Sequence, residues 1–299
     1  MERPSRKQQS KLVFEVTEEG FLLKDVLLVT DLPEATYHYH FSKKDEPNKE
    51  KELEDLILKI FKDSKETYGY RRITLVLKAK GHHINHKRVY RIMKKIGIQC
   101  VKFSNKKRRY NSYKGKVGKV AKNRLKRRFD TPIPLQKLVT DVTEFKCLND
   151  KKLYLSPIMD LYNREVISYK ISKRPTLDLA VDPLKEAISI IEQHAPYRAT
   201  IHSDQGWHYQ HNSWVKALKE NKIFQSMSRK GNCIDNSPME NFFGLLKQEM
   251  YHGEETVSYT TLKNKIEDYI HDYNTKRIKE KLSGLSPVEY RKQDTQLAA

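Results

Sequence analysis

Residues 101–128 limit what the chain can fold into more than any other stretch. "VKFSNKKRRYNSYKGKVGKVAKNRLKRR" carries thirteen Lys or Arg and no Asp or Glu. A like-charge block this dense repels itself and supplies no core, so it reads as a linker between foldable regions on either side of it. Tyr110 and Tyr113 stand among the charges. On a phosphate backbone each cation displaces a counterion, which gives affinity that falls steeply with salt. Lys107, Arg108 and Arg109 are its candidate DNA contacts. The whole chain shares the bias, with 58 Lys and Arg against 38 Asp and Glu and a net charge of +20. That balance says little about fold but points to a polyanionic partner, nucleic acid first.

Other classes are disfavoured. The three cysteines, Cys100, Cys147 and Cys233, are far apart and show no paired spacing, so neither a disulfide framework nor a four-ligand zinc site is expected. His82 and His86 are spaced for one helical face, but with no accompanying Cys-x-x-Cys they read as surface or DNA-facing residues. No run approaches the roughly eighteen apolar residues of a membrane span, and the N-terminus lacks a signal-type apolar region. A reduced, cytoplasmic protein is expected.

Before the basic block the pattern is helical. Residues 1–48 are expected to hold a short helix–turn–helix over 22–40, with Pro33 in the first turn of its second helix and Leu22, Val26 and Leu27 facing inward. Residues 49–100 form a second unit. Leu53, Leu56, Ile57 and Ile60 fall at helical spacing, and two further helices each end at a glycine, Gly81 and Gly97. The last of these sets Lys87, Arg88, Arg91, Lys94 and Lys95 around a Val89–Ile92–Met93 stripe. A helix–turn–helix with a basic final helix suits a major groove; a bundle with a solvated charged face fits the same pattern.

After the basic block, 129–293 reads as α/β, with 294–299 as a tail. "KLVTDVTEF" is one strand, two more flank "YNRE", and strands and helices then alternate. Strands first clustered and then alternating with helices imply a mixed sheet covered by helices. Within it, Asp141 lies inside the first strand, Asp204 ends a later one just before Gly206, and Glu240 sits in the first turn of a helix. A carboxylate in a sheet is costly unless hydrogen-bonded or bound to a cation, and strand ends are where α/β sites assemble. Converging carboxylates suit Mg²⁺ or Mn²⁺, and a pair of such ions suits phosphoryl transfer. Each residue also has a structural reading: a buried hydrogen-bonded Asp141, a turn-starting Asp204, and a capping box in "SPME" with Ser237 as N-cap, Pro238 first and Glu240 third. "HSD" at 202–204 superficially resembles a hydrolase trio, but neighbouring strand residues point to opposite faces, so His202 and Ser203 cannot meet.

The set "VTDVTEF", "HSDQGWHY" and "DNSPMENFFGLLKQE" resembles the catalytic core of insertion-sequence transposases of the OrfB type, relatives of retroviral integrases. Thirty-five residues separate Asp204 from Glu240, the family's spacing between its second and third acids. "TYGYRRI" with "NHKRVYRIMKKIGI" resembles the family's helix–turn–helix, and "YNTKRIKEKLSGLSPVEYR" its C-terminal end. The resemblance spans about 50–293. It implies a ribonuclease H-like mixed sheet flanked by helices, preceded by a small all-α helix–turn–helix region. It also implies an Asp141–Asp204–Glu240 triad holding two Mg²⁺ or Mn²⁺ ions, and metal-dependent cleavage and strand transfer at the ends of an insertion sequence. Lys247, two turns after Glu240 on the same face, would lie near the DNA, with Arg71, Arg72, Arg88 and Arg91 as contacts in the N-terminal unit. Partners implied are terminal-repeat and target DNA, further copies of the chain in a synaptic complex, and the product of an upstream reading frame. No membrane is implied, and the protein would be nucleoid-associated when bound to DNA. The rival reading is a catalytically inactive DNA-binding regulator or relic of such an element.

Overall fold

The computed structural model describes residues 4–42, 50–100, 120–229 and 233–297. Lys107, Arg108 and Arg109 lie outside the described residues. Two compact units divide the chain, Met1–Leu56 and Ile57–Ala299.

The first unit packs α1 (Arg6–Glu18), α2 (Leu23–Thr30) and α3 (Glu34–Ser42) around Val13, Leu27, Leu32 and Tyr37. The helix pair over 22–40 is the expected one, but α1 adds a third helix. Ser5 starts it with a capping box to Gln8, two orphan N–H groups satisfied reciprocally. Leu22 departs from its expected inward position: it is the N-cap of α2 and 73% exposed. Pro33 stands just before α3, where its carbonyl accepts the N–H groups of Thr36 and Tyr37.

Helix α4 (Lys51–Asp63) runs across the boundary into the second unit, where α5 (Tyr70–Ala79) and α6 (His86–Lys95) follow. Ile57, Ile60 and Phe61 are buried on α4 and Val89, Ile92 and Met93 on α6. Gly81 and Gly97 take φ of +88° and +72° just past α5 and α6, the left-handed conformation that ends a helix at little cost to glycine.

The sheet of the second unit contains β1 (Lys137–Thr140), β2 (Thr143–Lys146), β3 (Lys152–Asp160), β4 (Val166–Ser172), β5 (Thr200–Ser203) and β6 (Phe224–Met227). Strand β3 pairs antiparallel with β4 on one side and with β1 and β2 on the other; β5 and β6 continue the sheet parallel to β1. "KLVTDVTEF" is therefore not one unbroken strand. Thr140 faces Ile158 and Thr143 faces Leu155, so the register carries straight through while the ladder lapses at Asp141 and Val142. Continued, that register sets Asp141 opposite Pro157, which has no N–H to give. Asp141 Oδ1 instead accepts the Val142 N–H at 2.8 Å.

Helices α7 (Asp178–His194), α8 (Trp207–Gln210) and α9 (Asn212–Glu220) follow β4 and β5, and α10 (Ser237–Met250), α11 (Tyr259–Thr275) and α12 (Pro287–Leu297) end the chain. Alternation along β1 sorts its side chains between two cores. Leu138 packs with Leu184, Ile201 and Trp214, and Val139 packs with Met239, Phe242 and Ile266. One face of the sheet thus meets α7 and α9, the other α10 and α11. This is a mixed α/β sheet flanked by helices, with a helical region ahead of it. No described helix is long and apolar enough to cross a membrane.

The turn between β3 and β4 hangs on Asp160. It is buried, accepts the N–H groups of Leu135 (2.8 Å) and Tyr162 (3.0 Å), and burial pushes its carboxyl up to about 6. A carboxyl raised on folding contributes stability that is present in acid and is lost as pH rises through the folded value. Between pH 4.5 and pH 8 this residue should cost the wild type about 2 kcal/mol that Asp160→Asn does not lose. Urea unfolding of both proteins at the two pH values measures the difference.

Candidate active site

Strands β1 and β5 are parallel neighbours, and Val139 faces His202. Two residues further along each chain, the same register brings Asp141 beside Asp204, both just past their strands' C-terminal ends. Strand parity sends both toward the α10 face, since Val139 already packs there and side chains alternate. Adjacent strands lie about 4.8 Å apart, so the two carboxylates are close neighbours. Burial is the main cause that raises Asp141 well above the ordinary carboxylate range, and repulsion from Asp204 adds to it. The Val142 N–H opposes the rise, Glu240 adds a smaller push, and Lys247 works against it. Asp204 is raised by burial and held partly in check by the Gly206 N–H, which its Oδ1 accepts at 2.8 Å.

Gly206 is needed for space. A Cβ there would lie 2.9 Å from Asp204 Oδ1, closer than carbon and oxygen tolerate, and the carboxylate would have to turn away. Displacements near 1 Å at a reacting centre cost about a hundredfold in rate. Gly206→Ala should reduce turnover by that order while the melting temperature changes little; comparing rate and melting curve checks both.

Glu240 approaches from α10 and is exposed. The expected capping box is not formed. The helix starts one residue earlier, at Ser237, behind the 3-10 turn Cys233–Asn236. Asn236 is its N-cap and makes no side-chain capping bond. The amide of Asn236 donates instead to the Thr140 carbonyl at 3.1 Å, tying the start of α10 to the residue before Asp141. Asp235 anchors the same turn. It is fully buried and held by Arg229 (Nε and Nη2), Arg127 Nε and Asn123 Nδ2 at 2.9–3.1 Å. These partners keep its carboxyl far below the usual range. Nothing in the sequence alone marks Asp235 and Asn236 as functional beyond their place immediately before "SPME".

Lys247 lies two turns along α10 with its Nζ 5.0 Å from the centre of the Phe145 ring. His202 is a structural residue: both ring nitrogens bond serine hydroxyls, Ser226 at 2.8 Å and Ser228 at 3.1 Å, and burial lowers it to about 4. The Ser203 hydroxyl donates to the Asp204 carbonyl. His208, also unmarked in the sequence, is buried near Asp204 with Nε2 bonded to the Pro175 carbonyl, and exposed Trp207 stacks on it at 3.9 Å. Among the described residues, no three His, Cys, Asp or Glu side chains are gathered closely enough to hold a metal ion.

Of the cations proposed for the N-terminal unit, Arg88 and Arg91 are on the exposed face of α6. Arg71 is exposed and paired with Glu280 at 3.2 Å. Arg72 turns inward, half-buried with its guanidinium 5.5 Å over the Tyr68 ring.

Known families and proteins match this arrangement. Residues 131–233 match the integrase core domain, residues 240–294 a second integrase core domain family, and residues 47–108 an HTH-like domain. The chain is 44% identical over 271 residues to the Escherichia coli (strain K12) protein named "Putative transposase InsK for insertion sequence element IS150", a match that covers 91% of this chain and 94% of that one. The chain belongs to the insertion-sequence transposases. It is 33% identical to the transposase InsF for insertion sequence IS3A of the same organism, over 79% of this chain and 81% of that one. Among solved structures, the HTLV-2 integrase catalytic core domain in complex with magnesium (trimeric form) aligns with 53% of this chain and 97% of its own, at 18% identity and a TM-score of 0.41. As a transposase, the chain is a polynucleotidyl-transferase type of enzyme, with its acidic pair at the C-terminal ends of two parallel strands, where open α/β sheets assemble their sites.

Proposed function

We propose that this transposase cleaves DNA at the ends of its insertion sequence and joins those ends to target DNA, using Asp141, Asp204 and Glu240 as one carboxylate centre. A single juxtaposition supports it: Asp141 and Asp204 side by side just past the ends of neighbouring parallel strands, with Glu240 and Lys247 of α10 both acting on Asp141 electrostatically. The donor set is all oxygen, and two half-buried carboxylates that repel each other favour a hard cation between them, so the residues fit Mg²⁺ or Mn²⁺. Asp141 and Asp204 would hold it, with Glu240 completing a second position. Bound divalent ions supply Lewis acidity at the scissile phosphate.

The chain's own groups do the rest. Val142 and Gly206 aim the two aspartates through their N–H groups. Asp235 and Asn236 fix the start of α10 and with it Glu240. Lys247 positions a DNA phosphate beside the carboxylates. A water, or a DNA 3′-hydroxyl in the joining step, attacks the phosphorus and loses its proton while the bond to a DNA 3′-oxygen breaks and that strand leaves as a 3′-hydroxyl, with no covalent enzyme intermediate. Arg88 and Arg91 of α6 contact DNA ahead of the core, and Lys107, Arg108 and Arg109 add phosphate contacts. The protein works in the bacterial cytoplasm, in multimers that hold two DNA ends.

The test incubates the protein with DNA carrying the ends of its own element, with and without Mg²⁺. Strand-joined product that requires Mg²⁺ supports the proposal. Nicked product without joining would make it a nuclease, and binding without cleavage would make it a regulator.

A further inference from the structure

The first turn of α10 has a second side. Away from the carboxylates, Ser237, Pro238 and Asn241 help line a cleft of about 1030 Å³ within the second unit. Its other walls come from the start of α5, the β3–β4 turn and the segment after α11. Seven Lys and Arg side chains line it against two carboxylates, Asp130 and Glu280. Four of the cations have acidic partners: Arg71 with Glu280, Arg127 with Asp235, Arg164 with Asp130, and Arg277 with Glu249 at 2.5 Å. Arg72, Lys279 and Lys281 provide the excess. Lys279 donates its Nζ to the Tyr273 hydroxyl at 2.6 Å and sits 4.1 Å over that ring, a partner that carries no charge.

Burying cations without counter-charge is costly, and the cost is visible. Burial and the Arg277 guanidinium lower Arg72, with Glu249 offsetting only part of this, and burial with Arg277, Arg164 and Arg72 lowers Lys279 well below the usual range. An anion in the cleft would relieve both. The lining also includes Phe129, Tyr162 and Tyr290, with the last two rings 5.5 Å apart and tilted. Cations that track a backbone beside aromatic faces are how unpaired nucleic acid is held. Ligand pockets span about 300–1,000 Å³, so a cleft of this size takes a few nucleotides and leaves out a duplex.

We propose that this cleft binds a single DNA strand, with its phosphates on Arg72, Lys279 and Lys281 and its bases against Tyr162 and Tyr290. The strand would lie on the other side of the turn that carries Glu240. This deepens the proposed function, since the strand held there would be one that has left the duplex next to the carboxylates. Arg72 thereby remains a DNA contact, in the cleft rather than on the helix–turn–helix surface.

The test measures fluorescence anisotropy of a dye-labelled oligothymidine with the full chain in EDTA, across a salt series. A variant carrying Arg72→Gln and Lys281→Gln should bind about tenfold more weakly. The slope of log affinity against log salt should fall by about 1.4, at about 0.7 per phosphate contact on single strands. The charge-keeping pair Arg72→Lys and Lys281→Arg should restore most of the affinity. Wild-type affinity and slope in the Gln variant would overturn the proposal, as would an equal loss in the charge-keeping one. Asp204→Asn should bind oligothymidine like the wild type. Failure of the wild type to join DNA, with this strand binding intact, would overturn the proposed function and leave the cleft standing. Joining without charge-dependent strand binding would do the reverse.

Discussion

Asp204→Asn is expected to bind DNA as the wild type does and to cleave it at least about a thousandfold more slowly. The substitution keeps the side chain's shape and its acceptor for the Gly206 N–H, so local folding survives. It removes one of the two charges that, in the proposed centre, would hold a cation. Losing that electrostatic stabilisation of the transition state removes about 4 kcal/mol or more, which is roughly a factor of a thousand. Lys247, α6 and the basic segment, the DNA contacts proposed above, keep their charges in this variant, so affinity and its salt dependence should stay within about twofold. Electrophoretic shift and single-turnover cleavage on the same DNA separate the two quantities.

Asp235→Ala should do different damage. Its carboxylate is wholly buried and takes hydrogen bonds from three side chains and from the Arg229 N–H. Removing it strands Asn123 and frees two arginines. Because Arg127 and Arg229 are 43% and 61% exposed, water compensates them in part, and the loss should be nearer about 2 kcal/mol than the 3–5 of a fully buried pair. The functional effect should exceed the loss of stability. Asp235 joins the end of the basic segment and the end of β6 to the turn that launches α10, so without it Glu240 loses its fixed place. Cleavage should fall about a hundredfold or more at temperatures where the variant is still folded. Thermal melting and turnover, measured together, distinguish this from unfolding alone. Because the folded value of Asp235 lies below the unfolded one, its contribution is full at neutral pH and is lost only as the solution becomes strongly acid.

Much of the arrangement was legible in the sequence, and the omissions have identifiable causes. The basic stripe on α6 and the glycines after α5 and α6 follow from periodicity and from backbone conformations that glycine adopts at little cost. Asp141 stands out as a carboxylate within what reads as one apolar strand, and Asp204 as a carboxylate ending another. The lapse of the ladder at Asp141 does not, because it depends on Pro157, sixteen residues away and opposite only once β3 has paired. The start of α10 was placed one residue late for a similar reason. "SPME" satisfies a local capping rule, but Asn236 is drawn to the Thr140 carbonyl and the preceding turn brings the helix forward. Asp235 was overlooked because its partners, Asn123, Arg127 and Arg229, come together only in the folded chain. Arg72 sits next to Arg71 in sequence, yet one faces solvent and the other faces a cleft, a difference that composition cannot express.

Carboxylates just beyond β1 and β5 and on α10 would act as one centre, of which Glu240 is the most exposed member. The most direct measurement compares strand joining by wild type and Glu240→Gln on DNA bearing the element's ends, in Mg²⁺, at protein concentrations that saturate binding. Equal binding is expected, with Mg²⁺-dependent joined product from the wild type and none from the variant. Joined product from Glu240→Gln at the wild-type rate would contradict it.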